Sequence, residues 1–210
     1  MTSSPPDSMQ SAPPISEAER STAARIGAVL FRHRGWLPVP FLLVPLLARG
    51  QADEMNWILG FVLIILGEAI RLAGISAAGT VTRRRSRTVQ RLVTYGIFAW
   101  MRNPLYAGNF LIWMGFIVIS GVLWFFPVAI LLFAVEYTLI VRYEEGVLES
   151  IFGAEYLAYK HRTSRWLPRP PSTDEDGEHH WDEAWRSEIS TFLQYAVITA
   201  LFAAKDRFNW

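Results

Sequence analysis

The fold is decided by one long apolar stretch, 105-LYAGNFLIWMGFIVISGVLWFFPVAILLFAVEYTLIV-141. Gly121 divides it into two runs, 105–120 and 122–141, each close to the length of about 20 residues that a helix needs to cross a bilayer. A connection this short between two helices favours antiparallel packing. The stretch therefore predicts a membrane helical hairpin in the C-terminal half of an all-α protein.

Two apolar segments upstream complete the predicted bundle. Residues 57–78 are long enough to span and contain only two charged residues, Glu68 and Arg71. Residues 36–48 are shorter and contain three prolines, so they predict either a kinked first span that extends back toward Ile26 or a re-entrant element. With the hairpin, these segments predict a polytopic integral membrane bundle of about four transmembrane helices.

The composition agrees with a membrane protein. Half of the residues are hydrophobic, and the charged residues concentrate in the N-terminal tail, in one central loop and after Arg142. The formal net charge is +1, which gives no basis for nucleic-acid binding. There is no cysteine, so a disulfide, a thiolate nucleophile and a Cys-ligated metal are excluded. The four histidines lack metal-ligand spacing, and we expect no metal site.

The regions outside the bundle are of three kinds. Residues 1–24 are rich in Ser, Pro and Ala and predict a disordered tail, which leaves residues 25–171 as the membrane domain. Residues 172–188 are acidic and predict a linker. The apolar run within the final segment, 189–210, is short for a span. We therefore expect a helix there that docks at the membrane interface or associates with a second copy in a homo-oligomer.

Basic residues predict the orientation in the membrane. Arg32, His33 and Arg34 precede the first span, and five arginines lie between positions 83 and 91. Because basic loops stay in the cytoplasm, we expect both termini and the open end of the hairpin on the cytoplasmic side, in the inner membrane of a bacterium. The arginine run itself fits an anchor for anionic lipid headgroups better than a catalytic role.

A polar turn precedes the hairpin. In Arg102-Asn103-Pro104, the proline suits a first helical turn, and the residue before it is pushed toward extended geometry. Free backbone N–H groups at the helix start, together with the Arg102 guanidinium, suit a carboxylate or a phosphate. An ordinary helix start with an arginine that snorkels to the interface explains the same residues.

Two adjacent carboxylates, Glu144 and Glu145, follow the hairpin on the same side. Neighbouring side chains point about 100° apart on a helix, so one carboxylate can face the hairpin interior while the other pairs with an arginine. Carboxylates at a helix C-terminus oppose the macrodipole and need a cation, which is either a cofactor amine or sulfonium or a nearby arginine such as Arg142. Glu68 and Arg71 are either a mutually neutralised pair or a functional site inside a span.

Short motifs in a fixed order resemble one group of enzymes. Gly96 precedes Arg-Asn-Pro-Leu-Tyr-Ala-Gly at 102–108, and then follow Glu144-Glu145, Phe-Gly-Ala-Glu-Tyr-Leu-Ala-Tyr at 152–159, and Leu167-Pro168. This pattern resembles the isoprenylcysteine carboxyl methyltransferases and the related phospholipid methyltransferases, over residues 71–168. Asn103 stands where the family usually has histidine, a departure also found in some phospholipid methyltransferases.

The resemblance implies an S-adenosylmethionine-dependent methyltransferase acting on a lipid or lipid-tethered acceptor, with a cytoplasmic cofactor pocket at the open end of the hairpin. Arg102 and Glu145 are the implied catalytic residues. Glu144 or Glu145 would hold the methionine amino group, and Tyr106 and Gly108 would shape the adenosine side and the substrate tunnel. The implied cofactor-binding residues are Gly96, Arg102, Asn103, Pro104, Tyr106, Gly108, Glu144, Glu145, Tyr156, Tyr159 and Leu167.

Other functions and two acceptors stay open. Membrane sterol and steroid reductases resemble the same hairpin and use NADPH, although Leu105 and Asn109 depart from their pattern. If the protein is instead a non-enzymatic membrane scaffold, the four motifs occur together by chance. If the reaction is methyl transfer, the acceptor is either an isoprenylcysteine-type carboxylate or a phospholipid amine.

Overall fold

The computed structural model describes residues 22–35, 38–79, 91–171 and 176–208, and these ranges are helical, without β-strands. The predicted disordered tail up to residue 21, most of the arginine-rich loop and the part of the predicted linker at 172–175 lie outside the described residues. Within those ranges the helices are α1 (Thr22–His33), α2 (Pro38–Leu47), α3 (Glu54–Ala78), α4 (Ile97–Trp100), α5 (Pro104–Ile119), α6 (Phe125–Phe152), α7 (Ala154–Arg162) and α8 (Trp181–Phe208).

Three of the helices, α3, α6 and α8, are long and apolar enough to cross a membrane, and α5 is a shorter apolar helix. The predicted all-α membrane bundle is therefore confirmed. The predicted hairpin consists of α5 and α6, and the chain reverses at Gly121, whose φ is +68°. A Cβ at this position would lie 2.4 Å from the Gln51 backbone, so glycine meets both the conformational and the steric requirement. We call this turn the closed end of the hairpin and the opposite end its mouth.

Glycines allow the close packing of α3 against α5. A Cβ on Gly67 would lie 2.6 Å from the Gly108 carbonyl oxygen, and a Cβ on Gly115 would lie 2.7 Å from that of Gly60. Small residues on facing membrane helices let the two backbones approach closely. Each helix repeats its glycine after two turns, so the same faces stay in contact along the helix pair. This interface holds the start of α5, and with it the mouth, against the end of α3.

The N-terminal segment forms two helices rather than one straight span. α1 lies on α6, where a Cβ on Gly27 would be 2.5 Å from the Leu139 carbonyl oxygen. α2 has 10 residues, contains Pro45 and leads to Gly50 beside the closed end of the hairpin. A helix of this length covers only about 15 Å, so α2 does not cross the bundle alone. Together, α1 and α2 lead from the mouth, where Arg34 lies, to the closed end.

The last helix differs most from the prediction. α8 begins at Trp181, inside the stretch 172–188 that the composition predicted to be a linker. Asp182 and Glu183 lie in its first turn, where acidic side chains interact favourably with the positive end of the helix dipole. Its inner face reaches the core through Phe202, which is 2% exposed. The helix therefore starts before the predicted boundary at 189, because an acidic first turn has the same composition as a linker.

Candidate active site

Two chain segments meet at the mouth, one leading into α5 and the other following α7. The Arg102 amide donates a hydrogen bond of 2.9 Å to the Ser164 carbonyl oxygen, and the Arg169 amide donates one of 3.0 Å to the Trp100 carbonyl oxygen. These bonds satisfy backbone groups that the turn before α5 would otherwise leave free. They also bring two motifs that are distant in the sequence onto one surface.

Glu145 is the centre of the site and is 4% exposed. Arg102 Nη2 lies 2.9 Å from its Oε1, and Arg165 Nε lies 3.1 Å from the same oxygen. Arg165 also donates to Oε2 through its Nη2, and Lys160 Nζ lies 3.9 Å from that oxygen. Charged hydrogen bonds from two guanidinium groups offset the cost of removing this carboxylate from water.

Arg102 is fixed by the protein and does not reach out to the interface. Besides the Glu145 carboxylate, its guanidinium donates to the carbonyl oxygens of Lys160, at 3.0 Å, and Thr163. Its side chain is only 8% exposed. The neighbouring Asn103 donates from its side-chain amide to the Arg165 carbonyl oxygen at 3.2 Å. An ordinary helix start with a snorkelling arginine does not explain this geometry.

Two buried tyrosines of α7 lie behind the ionic cluster. Gly153, with φ +51°, separates α6 from α7 and directs the tyrosine motif back toward the mouth. The Tyr159 hydroxyl donates to the Phe98 carbonyl oxygen at 2.8 Å, and the Tyr156 ring centroid is 6.0 Å from that of Tyr159. Burial, and then the Glu145 carboxylate, raise the pKa of Tyr156. Its phenol therefore stays protonated at neutral pH.

Glu144 belongs to a second, more open cluster. Its Oε1 lies 3.3 Å from Arg34 Nη1, and the two side chains are 27% and 34% exposed. The Tyr106 phenol interacts with the same carboxylate. The two adjacent glutamates thus diverge as predicted for a helix, each with a cationic partner. Arg142, which the sequence suggested as a partner, is exposed.

The other predicted site residues lie elsewhere. Pro104 is buried as the first residue of α5, and Gly108 packs against α3, one turn further into the bundle. Gly96 has φ +59° and lies beside His179, while Leu167 is 76% exposed. The structure therefore brings together one inner cluster and one outer cluster from the predicted set. The inner cluster holds Arg102, Asn103, Glu145, Tyr156 and Tyr159, and the outer one holds Tyr106 and Glu144.

Three cations of these clusters were not predicted as site residues: Arg165, Lys160 and Arg34. The only signal in the sequence was the need of paired carboxylates for positive partners, which does not say where along the chain the partners lie. The clusters are ionic in character. In the part of the chain that the structure describes, no group of three His, Asp or Glu side chains could hold a metal ion.

A buried polar network lies deeper in the bundle, between α3, α5 and α8. Arg71 Nε lies 3.3 Å from Glu68 Oε2, so the predicted pair within α3 is formed. Arg71 also lies 2.8 Å from Glu188 of α8 and donates to the Asn109 side chain of α5. The Tyr195 hydroxyl donates to Glu68 at 2.9 Å. This network connects the final helix to both helices of the glycine interface.

A bundle of span-length helices with buried ionic groups at one mouth defines a polytopic membrane protein with a polar site at one end. The model of the phospholipid methyltransferase family matches residues 55–155, which include α3 except for its first residue, the hairpin and both glutamates. Residues 55–155 are similar to this family, in agreement with the resemblance that the short motifs indicated.

Curated relatives extend the comparison. Protein-S-isoprenylcysteine O-methyltransferase of Homo sapiens is 30% identical over 132 residues, which are 56% of this chain and 44% of that protein. The A and B enzymes of the same name from Arabidopsis thaliana are 35% and 34% identical over 117 residues, 52% of this chain and 57% of theirs. The chain spans about half the length of these relatives. No solved structure matches the chain.

Proposed function

We propose that the protein is an S-adenosylmethionine-dependent methyltransferase whose cofactor binds at the mouth of the hairpin. The observation that carries the proposal is the pair of ionic clusters around Glu145 and Glu144, both glutamates lying inside the family-matched segment. The matched relatives are named as methyltransferases, which favours this function over the reductase and the scaffold.

The residues at the mouth fit the charges of this cofactor, which carries an amino group, a carboxylate and a sulfonium. Both oxygens of Glu145 already accept from guanidinium groups. Glu144 is more open, so it is the better candidate to hold the amino group. Arg165, whose side chain is 32% exposed, can receive the carboxylate. Arg102 and Glu145, implied as catalytic by the resemblance, would then act by holding Arg165 and the segment after α7 in place.

Bound S-adenosylmethionine would supply a methyl group that passes from its sulfonium to the acceptor and leaves a thioether. Such a displacement needs alignment and exclusion of water rather than a protein nucleophile. The buried Arg102–Glu145 pair supplies rigidity, and Tyr106 narrows the mouth next to Glu144. An amine acceptor must also lose a proton, which requires a base beside the acceptor.

The acceptor we favour is a lipid or a lipid-tethered group. An aromatic row runs between α5 and α6 from the membrane interior to the mouth: the rings of Phe110 and Phe133 are 5.0 Å apart, those of Phe133 and Tyr137 3.9 Å, and those of Tyr137 and Tyr106 4.9 Å. An apolar chain can follow this row to Glu144 without entering water. The relatives named for isoprenylcysteine favour a lipidated protein, and the family description favours a phospholipid.

The membrane side of the mouth follows from the basic residues near it. Arg34 lies at the mouth beside Glu144, Arg32 is in the last turn of α1, and five arginines lie between positions 83 and 91 of the sequence, shortly before the segment that leads to Arg102. Basic segments stay in the cytoplasm, so the mouth would face the cytoplasm of the cell, at the inner membrane of a bacterium. A soluble cofactor is available on that side.

The reaction can be tested with membranes that contain the protein. They are incubated with S-adenosylmethionine labelled in its methyl group and then extracted with organic solvent, and membranes with the Glu144→Gln variant serve as the control. We expect protein-dependent label in the organic phase. Label found only on soluble small molecules would contradict a lipid acceptor, whereas no transfer, together with binding of NADPH, would favour the reductase.

A further inference from the structure

The length of α8 is sufficient for a complete membrane crossing. It has 28 residues, which correspond to about 42 Å of helix, against a hydrocarbon core of about 30 Å. Its charged residues lie near the two ends, and the segment from Ile189 to Ala204 contains none. The helix lies entirely outside the family-matched segment, which ends at residue 155.

α8 runs antiparallel to α3 along the whole of that span. Successive residues from His180 onward contact progressively earlier residues of α3, through four hydrogen bonds or ion pairs. The contacts are His180 N to the Ser76 carbonyl oxygen at 2.8 Å, Glu188 to Arg71 at 2.8 Å, Tyr195 to Glu68 at 2.9 Å, and Asp206 to Trp57 Nε1 at 2.9 Å. Because α3 is a span-length helix, a partner aligned with both of its ends crosses the same thickness.

The two ends of α8 lie at opposite ends of the hairpin. At its start, the preceding Glu178 carbonyl oxygen is 2.9 Å from the Tyr95 hydroxyl, close to the mouth. At its other end, Lys205 is 1% exposed and donates to the Pro45 and Ser120 carbonyl oxygens at 2.7 and 3.1 Å. Ser120 immediately precedes the closed end at Gly121. The C-terminal end of α8 is therefore anchored at the end of the bundle remote from Arg102.

The outer face of α8 is an apolar ridge. Ile189, Leu193, Val197 and Leu201 recur every four residues and are 57%, 65%, 60% and 43% exposed. A spacing of four places them on one side of a helix. This ridge lies opposite the face that carries Glu188 and Phe202, both buried. Lipid hydrocarbon is the occupant that matches an uncharged ridge along a helix of membrane-crossing length.

We infer that α8 is an additional membrane crossing whose ridge contacts lipid, and that its C-terminal end lies at the membrane face opposite the hairpin mouth. About four spans, an even number, led to the expectation that both termini share one side. α8 adds one crossing, which places the two ends on opposite sides. The inference concerns the relative sides of the two ends and does not depend on the reaction or on which face is cytoplasmic.

The cysteine-free chain allows a direct test of the two ends. Glu155→Cys places a thiol on the exposed surface of α7 near the mouth, and Arg207→Cys places one at the exposed end of α8. After each is shown to react in detergent, intact cells and inverted vesicles are treated with a membrane-impermeant maleimide. We expect the two positions to react from opposite sides. Reaction of both from one side, or reaction of position 207 only in detergent, would overturn the crossing.

The ridge is tested separately with a spin label. Leu193→Cys, carrying a nitroxide in reconstituted membranes, should collide readily with oxygen and poorly with a water-soluble nickel complex, as a lipid-exposed site does. Glu155→Cys is the matched water-exposed control. Strong collision with nickel at position 193 would place the ridge in water, and dipolar broadening between labels would show a second copy on it. Either result would refute lipid as the occupant.

Discussion

Glu144 and Glu145 are adjacent in the chain, but their surroundings differ. The Glu145 carboxylate is buried against two guanidinium groups, whereas Glu144 shares one partly exposed pair with Arg34. An incoming ammonium group can replace Arg34 at low cost, because exposed ion pairs contribute little stability. Displacing a buried guanidinium would leave an uncompensated charge. We therefore propose that Glu144 binds the cofactor and that Glu145 organises the site.

The first prediction concerns Glu144→Gln. It should weaken binding of S-adenosylhomocysteine at least about tenfold, since a hydrogen bond to a charged group contributes about 1.5–3 kcal/mol. Titration calorimetry on purified protein measures the affinity, and the thermal midpoint should stay near that of the parent. Asp182→Asn, an exposed change on α8 outside the matched segment, should bind normally. Parent-like affinity in the Glu144 variant would remove it from the proposed pocket.

The second prediction concerns Glu145→Gln. Loss of this charge leaves Arg102 and Arg165 facing each other, and breaking a buried pair costs about 3–5 kcal/mol. We expect a clear drop in the thermal midpoint in detergent, together with weaker cofactor binding. Glu149→Gln, which affects a pair with Lys160 that is about one-third exposed, should cost less than about 1 kcal/mol. Equal stability of the two variants would refute an organising role for Glu145.

At the scale of helices, the glycine interface between α3 and α5 determines where the mouth is built. Gly67 and Gly108 approach so closely that neither has space for a methyl group. The side chains of Pro104 and Leu105, at the start of α5, lie beside Gly74 on α3, where a Cβ would be 3.1 Å from Leu105. The glycine in the motif at 102–108 is explained by this packing, and its assignment to the cofactor stays a prediction.

The third prediction tests that interface with Gly67→Ala. The added Cβ would lie 2.6 Å from the Gly108 carbonyl oxygen, so the helices must separate, and overpacking of this kind costs about 1–3 kcal/mol. Thermal unfolding in detergent measures the loss. Gly35→Ala is the matched control, because a Cβ there meets nothing within 4 Å. If both variants unfold like the parent, the close approach of α3 and α5 is incorrect.

At the scale of the whole molecule, α8 is part of the bundle and not an appendage. It supplies Glu188 to Arg71, a hydrogen bond from Tyr195 to Glu68, and Phe202 to the core around Phe116. These contacts bury polar groups of α3 that would otherwise face lipid without compensation. Interfacial docking or self-association alone would not explain these contacts of α8 with the bundle.

The fourth prediction concerns Glu188→Gln. It removes one of the two carboxylates that pair with Arg71 inside the bundle, so we expect a loss of about 3 kcal/mol in the free energy of unfolding. Denaturation in detergent, followed by tryptophan fluorescence, provides the measurement. Asp182→Asn changes an exposed acidic residue of the same helix and should have little effect. If the Glu188 variant had the same free energy of unfolding as the parent, α8 would not be held by this ion pair.

Parts of the site were predictable because they are local. The Arg102-Asn103-Pro104 turn, the divergence of Glu144 and Glu145, and the Glu68–Arg71 pair depend on residues within one helical turn. Arg165 was not predictable, because its contact with Glu145 depends on how the segment after α7 folds back. The start of α8 was missed because acidic residues suit both a linker and a first helical turn.

The sequence by itself determined that this protein is a membrane helical bundle with a hairpin and a polar mouth, and it contains motifs that resemble those of a methyltransferase family. These features follow from runs of apolar residues and from short motifs, whose effects extend over a few neighbours. Only the tertiary structure decided which cations surround each glutamate and where α8 lies. Ion pairs and helix contacts join residues far apart in the chain, and their geometry exists only once the helices pack.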